Sequence, residues 1–258
     1  MAAMASLPED SPLAAPADTR RTRSRLVREL LWRRVDVPGI EYFRLWASPA
    51  GPRLTGTVIL ADAGSPLLLK YAVACAPDWT SRGVHIALTR GAVTRHLKLT
   101  ADDDQRWWRS AEEVPRPGGG QQGATPARES AGAGHASASA TGALRHSPAA
   151  VEIPSVAGCL DVDLAFTPAT NFLPLRRLGL AVGESREMTA AWVRFPDLSV
   201  EPLAQRYTRL DEHRVRYESR GGAFTAELEV DELGLVVRYP PLWERVAAGE
   251  QETGDRGL

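Results

Sequence analysis

Apolar and polar residues alternate along most of this chain, in short runs separated by Gly, Pro, Asn and Asp, and that period of two predicts strands rather than helices. Runs at 30–35, 41–46, 53–61, 67–76, 84–88, 93–99 and 105–109 follow one another through turn signals such as Pro38-Gly39, Pro49-Ala50-Gly51-Pro52, Ala63-Gly64-Ser65-Pro66 and Arg90-Gly91-Ala92. With no helical period between them, this succession predicts an antiparallel meander. A second set lies at 186–195, 198–209, 214–219, 224–230 and 235–239, divided by Pro196-Asp197 and Gly221-Gly222 and ended by Pro240-Pro241. In the 224–230 run, Phe224, Ala226, Leu228 and Val230 face a core, while Glu227, Glu229 and Asp231 face water. Leu242 to Arg245 is expected to tuck back over one end.

Between the two sets runs GCLDVDLAFTPATNFLPLRRLGL, Gly158 to Leu180, here termed the hinge. Period two puts Leu160, Val162, Leu164 and Phe166 on one face and Cys159, Asp161, Asp163 and Ala165 on the other, giving a strand with one greasy and one acidic side. Thr167-Pro168 ends that strand, because proline cannot donate to a ladder, and Ala169-Thr170-Asn171 reads as a turn. Phe172, Leu173, Leu175 and Leu178 make the next segment apolar, with Pro174 breaking it and Arg176-Arg177 at its centre.

Three stretches lack the strand texture. Residues 1–27 scatter a few aliphatics among Ala, Pro, Asp and Arg, and are expected to form a disordered tail. Residues 110–150, rich in Gly, Ala, Ser and Pro, are expected to be a flexible insert looping out of one β domain spanning 28–247, with 248–258 a second polar tail. The expected fold is therefore all-β: about thirteen strands with almost no helix, in one large, strongly curved antiparallel sheet that bends into a barrel or half-barrel.

Composition narrows the function classes. With 31 basic and 32 acidic residues in 258, there is no electrostatic footprint for nucleic acid. The two cysteines, Cys75 and Cys159, sit in apolar strand patterns without CxxC or Cys/His spacing, and the five histidines have no HxH or HxxxH arrangement, so neither metal nor cofactor is expected. No apolar run reaches the roughly 20 residues of a spanning helix, and the N-terminus has no signal-peptide core, which makes a cytoplasmic address the expectation.

Candidate chemistry centres on the hinge. Asp161 and Asp163 lie on one face roughly 7 Å apart, compatible with paired-carboxylate chemistry, with a solvated face, or with an ion pair to Arg176 or Arg177. Asp161, Asp163, Asn171, Arg176 and Arg177 could together rim a pocket that hydrogen-bonds a polar head such as a sugar. Of the seven tryptophans, Trp107 and Trp108 project to opposite faces of one strand, so one of them is available to a cavity or partner, and Trp192 is a further candidate.

Four segments carry a family resemblance: LLWRRVDVPGIEYFRL (30–45), GCLDVDLAFTPATNFLPLRRLGLAVGES (158–185), AAWVRFPDLSVEPLAQRYTRLDEHRVRYES (190–219) and ELEVDELGLVVRYPPLWER (227–245). They resemble the bacterial putative glycolipid-binding family. The resemblance implies a curved antiparallel sheet similar to half-barrel lipoprotein carriers, holding a glycolipid or other amphipathic ligand in its concavity without catalysis. Acyl chains would then meet the aliphatic inner face and the head group the polar rim of the hinge. Two other readings remain: a hydrolase using Asp161 and Asp163, and a protein-interaction scaffold.

Overall fold

The alternating runs do become strands, and all of them join one sheet. The computed structural model describes residues 24–115 and 149–250. The first meander comprises β1 (Arg25–Arg34), β2 (Gly39–Ala47), β3 (Arg53–Asp62), β4 (Ser65–Cys75), β5 (Ser81–Arg90), β6 (Val93–Ala101), β7 (Trp107–Pro115) and the short β8 (Val151–Glu152). The hinge contributes β9 (Asp161–Leu164), a 3-10 turn (Ala169–Asn171) and helix α1 (Phe172–Leu178). The second meander comprises β10 (Ser185–Val193), β11 (Val200–Arg209), β12 (Arg214–Ser219), β13 (Phe224–Val230), β14 (Val236–Tyr239) and β15 (Trp243–Glu250).

Strand order is β8-β7-β6-β5-β4-β3-β2-β1-β15-β14-β13-β12-β11-β10-β9. The meanders thus join back to back through β1 and β15, with Leu30 opposite Ala248 and Trp32 opposite Arg245. Every neighbouring pair is antiparallel except β9 and β10, which run parallel with Asp161 opposite Ala190 and Asp163 opposite Trp192. A parallel pair needs a crossover, and the remainder of the hinge, with α1, supplies it.

Several boundaries differ from the sequence reading. Strand β1 starts at Arg25, inside the expected tail, because Arg25 and Leu26 pair with Ala47 and Trp46 of β2. Strand β7 runs to Pro115, inside the expected insert, because β6 offers a matching ladder from Thr100 opposite Trp108 down to Val93 opposite Pro115. Leu242 to Arg245, expected to tuck over one end, and 248–250, expected to open the polar tail, instead lead into and complete β15 (Trp243–Glu250), which pairs with β1. The hinge helix was also unexpected: Pro174 falls in the first turn of α1, where its missing N–H breaks no intrahelical bond, and Gly179, at φ +56°, ends the helix. The remaining expected tail and insert positions, 1–23, 116–148 and 251–258, lie outside the described residues.

The sheet is not a closed barrel, since β8 and β9 are its two edges. It rolls until the β9 edge reaches the start of β5, where the Ser81 N–H donates to Leu160 O (2.8 Å) and the Val162 N–H to Ser81 Oγ (3.1 Å). Residues 153–160 bridge the intervening strand ends: the Gly158 N–H donates to Gln105 O (2.9 Å) and Trp107 Nε1 to Cys159 O (2.9 Å). This roll encloses the hinge. Val162, Leu164, Phe166, Phe172 and Leu173 are each no more than 1% exposed. The Phe166 ring stands 5.9 Å from Tyr71 and 6.4 Å from Phe195, and Phe172 packs 5.1 Å from Trp79. Each such side chain contributes about 1.5–3 kcal/mol of burial. The interior face of the first meander is therefore filled by the protein's own hydrocarbon.

Candidate cleft between the hinge and the second meander

Because β9 lies between the two meanders, both its faces are used. Val162 and Leu164 are buried with the first meander, whereas Asp161 and Asp163 turn towards the inner face of the second. That inner face is set by the alternation in β11 and β12: Leu203, Gln205 and Tyr207 on one strand, Val215, Tyr217 and Ser219 on the next, all buried.

The two aspartates meet different surroundings. Asp161 is 1% exposed and accepts from Arg177 Nε at 3.1 Å. Burial raises its carboxyl above the ordinary range, and the Arg177 guanidinium opposes that rise. This is a structural ion pair that fixes α1 against β9. Asp163, two residues on, has no cationic partner among the described residues; its Oδ2 accepts from Gln205 Nε2 at 2.6 Å. Burial pushes its carboxyl up to about 6, against the opposing effect of hydrogen bonds from Gln205 and Thr170.

Asp163 opens onto a cavity of about 200 Å³ whose wall includes Asn171, Trp192, Tyr217, Phe224, Tyr239 and Trp243. The aromatic side is a packed group: Tyr217 lies 5.2 Å from Tyr207, 6.0 Å from Phe224 and 6.2 Å from Tyr239. Trp192 is flanked by the guanidinium carbons of Arg220, 5.0 Å from the ring centroid, and Arg194, 5.6 Å away. The polar side is pre-oriented. Gln205 also reaches Tyr217 Oη (3.1 Å), and Tyr207 Oη donates to Asn171 Oδ1 (3.0 Å), so both amides are held before any ligand arrives.

Behind this wall stands a buried acid. Thr167 lines the cleft and donates its hydroxyl to Glu41 Oε1 (2.8 Å), which also accepts from Tyr71 Oη (2.5 Å). Glu41 is fully buried, and burial pushes its carboxyl up to about 8. Tyr71 reaches it from β4 by lying across Gly56 of β3, where an added Cβ would come within 2.2 Å of the ring.

The sequence candidates therefore separate. Asp163, Asn171 and Trp192 converge on the cleft. Asp161 and Arg177 form the pair described above, and Arg176 stacks over Trp79 at 5.2 Å outside the cleft. Trp107 is fully buried in the core, and Trp108 carries Arg106 at 5.6 Å on the opposite face of β7. Cys75 and Cys159 are buried free thiols, with burial and Asp161 pushing them up to about 12 and about 11. Gln205, Tyr217, Tyr239, Trp243 and Glu41 escaped the sequence reading. Their signal was present in part: Gln205 and Glu41 are polar residues at inward positions of otherwise apolar alternation.

Comparison with known proteins covers most of the chain, including part of the expected insert. A family model described as putative glycolipid-binding matches residues 29–125 and 131–245. Among solved structures, the chain is similar to a DUF1089 family protein from Pseudomonas aeruginosa, with 29% identity and a TM-score of 0.58, over 80% of this chain and 92% of that one. No curated protein matches.

Proposed function

The chain belongs to the putative glycolipid-binding family, and from that premise we propose that it binds a glycosylated amphiphile by its sugar, in the cleft between β9 and the second meander. The observation that carries this reading is Asp163, held by Gln205 and set opposite Trp192 and Tyr217 in one small cavity. A sugar ring has apolar C–H faces that suit aromatic rings, and a girdle of hydroxyls that suits carboxylate and amide groups. At about 200 Å³ the cavity is smaller than the roughly 300–1,000 Å³ that engulfs a drug-sized ligand. It accommodates a head group, and the acyl chains stay outside it, since the hinge occupies the aliphatic interior of the first meander.

Binding without turnover fits these residues better than hydrolysis. Glycosidic cleavage uses two carboxyl groups across the bond. Asp161 is taken by Arg177, and Glu41 stands behind Thr167 without solvent contact, which leaves Asp163 as the one carboxyl in the cleft among the described residues.

Titration of the whole chain with a short-chain alkyl glycoside below its micellar concentration, followed by tryptophan fluorescence, tests the reading. Saturable binding is expected, weakened about tenfold or more in Asp163→Asn and in Trp192→Ala. Equal binding of the matching alkyl alcohol, or no change in either variant, would refute it.

A further inference from the structure

At the far end of the hinge lies a second polar cavity, of about 300 Å³, with Arg176, Gly179, Arg209, Glu232 and Gly234 in its wall. Arg176 is fixed there by Trp79, whose ring centroid is 5.2 Å from the guanidinium carbon. Its Nε is buried and meets no acceptor among the described residues. Arg209, from the end of β11, donates Nη2 to Glu212 O at 2.5 Å and keeps the rest of its fork unengaged among the described residues. Neither guanidinium makes an ion pair with a carboxylate among the described residues. Other half-buried arginines do: Arg177 pairs with Asp161, and Arg245 with Asp231 at 2.9 Å.

A buried N–H without an acceptor is unfavourable, and two guanidiniums lining one small cavity repel each other. A bound oxyanion held by the accessible nitrogens of the two forks would offset that repulsion. Guanidinium forks match phosphate oxygens in geometry as well as charge. The glycines at φ +56° and +90° leave the wall free of side chains at Gly179 and Gly234. Glu232 is exposed at the rim and opposes an anion, so occupancy requires a group bearing enough charge to outweigh it. This site is separate from the sugar cleft: Leu203 lines the cleft and Arg209 this cavity, six residues apart on one strand, or about 20 Å.

We infer that the Arg176–Arg209 cavity is a binding site for a phosphate group, presented either as a phosphomonoester or as free phosphate. Isothermal titration of the whole chain with inorganic phosphate and with glycerol 3-phosphate, against potassium chloride at matched ionic strength, tests it. Saturable binding is expected, weakened about tenfold or more in Arg176→Gln and in Arg209→Gln, less so in Arg209→Lys, and tightened about threefold in Glu232→Gln. Tighter binding of glycerol 3-phosphate identifies the monoester as the ligand form; tighter binding of inorganic phosphate identifies the free ion. Melting without phosphate accompanies each variant. Should Arg176→Gln unfold through loss of its contact with Trp79, Arg209→Gln and Glu232→Gln still decide. Absence of saturable binding by both probes, or affinities unchanged in Arg209→Gln and Glu232→Gln, would overturn the assignment.

Discussion

Glu41 shows how one buried residue sets the response of the fold to pH. Its folded carboxyl, at about 8, lies above the ordinary 4.5. Below pH 4.5 both folded and unfolded chains hold the proton. Between 4.5 and 8 the unfolded chain releases it while the folded chain retains it, so stability falls by about 1.4 kcal/mol per pH unit and then levels off. Asp163 adds the same trend between its ordinary 3.8 and about 6. Glu41→Gln removes the larger contribution. Denaturant melts across pH 5 to 9 should show a flatter profile for this variant, which becomes more stable than the wild type at pH 9. A parallel decline in both proteins would mean that Glu41 is not the buried acid described here. Its position was partly legible: Glu41, Phe43 and Leu45 share one phase, and an inward acid in such a run calls for a partner. Thr167, 126 residues away in sequence, could not have been named as that partner.

Among elements, the hinge and β3 set the surroundings of the buried acids. Alternation revealed β9 and its two unlike faces, because a strand buried on one side by hydrocarbon and on the other by a polar cleft has that pattern. It did not reveal which aspartate faces an arginine. That depends on α1, a seven-residue helix whose Pro174 reads as a breaker until its first-turn placement is known. Gly56 in β3 has a comparable hidden role. It leaves room for the Tyr71 ring to cross the strand and donate to Glu41. Gly56→Ala should displace that ring and break the hydrogen bond, costing about 3 kcal/mol in a urea melt. A loss below about 0.5 kcal/mol would show that the ring relaxes freely and that the link between hinge and first meander does not depend on it.

At the scale of the whole molecule, the strand count and the meander pattern gave the all-β sheet, and the four matching segments pointed to the family that the chain proved to belong to. Which part of the sheet's interior is filled was not legible, since alternation tells inward from outward but not what the inward side meets. The hinge decides it: its phenylalanines and leucines complete the first meander, and its Asp163 and Asn171 complete the wall of a cleft on the second. On this account the ligand is held at its head and its hydrocarbon is left unenclosed by the first meander. A crystal structure with a glycolipid brominated on its acyl chain tests that division most directly. The account predicts sugar density beside Asp163 and Trp192, with the anomalous bromine signal outside the first meander. Bromine among Leu54, Val58 and Leu69 would contradict it.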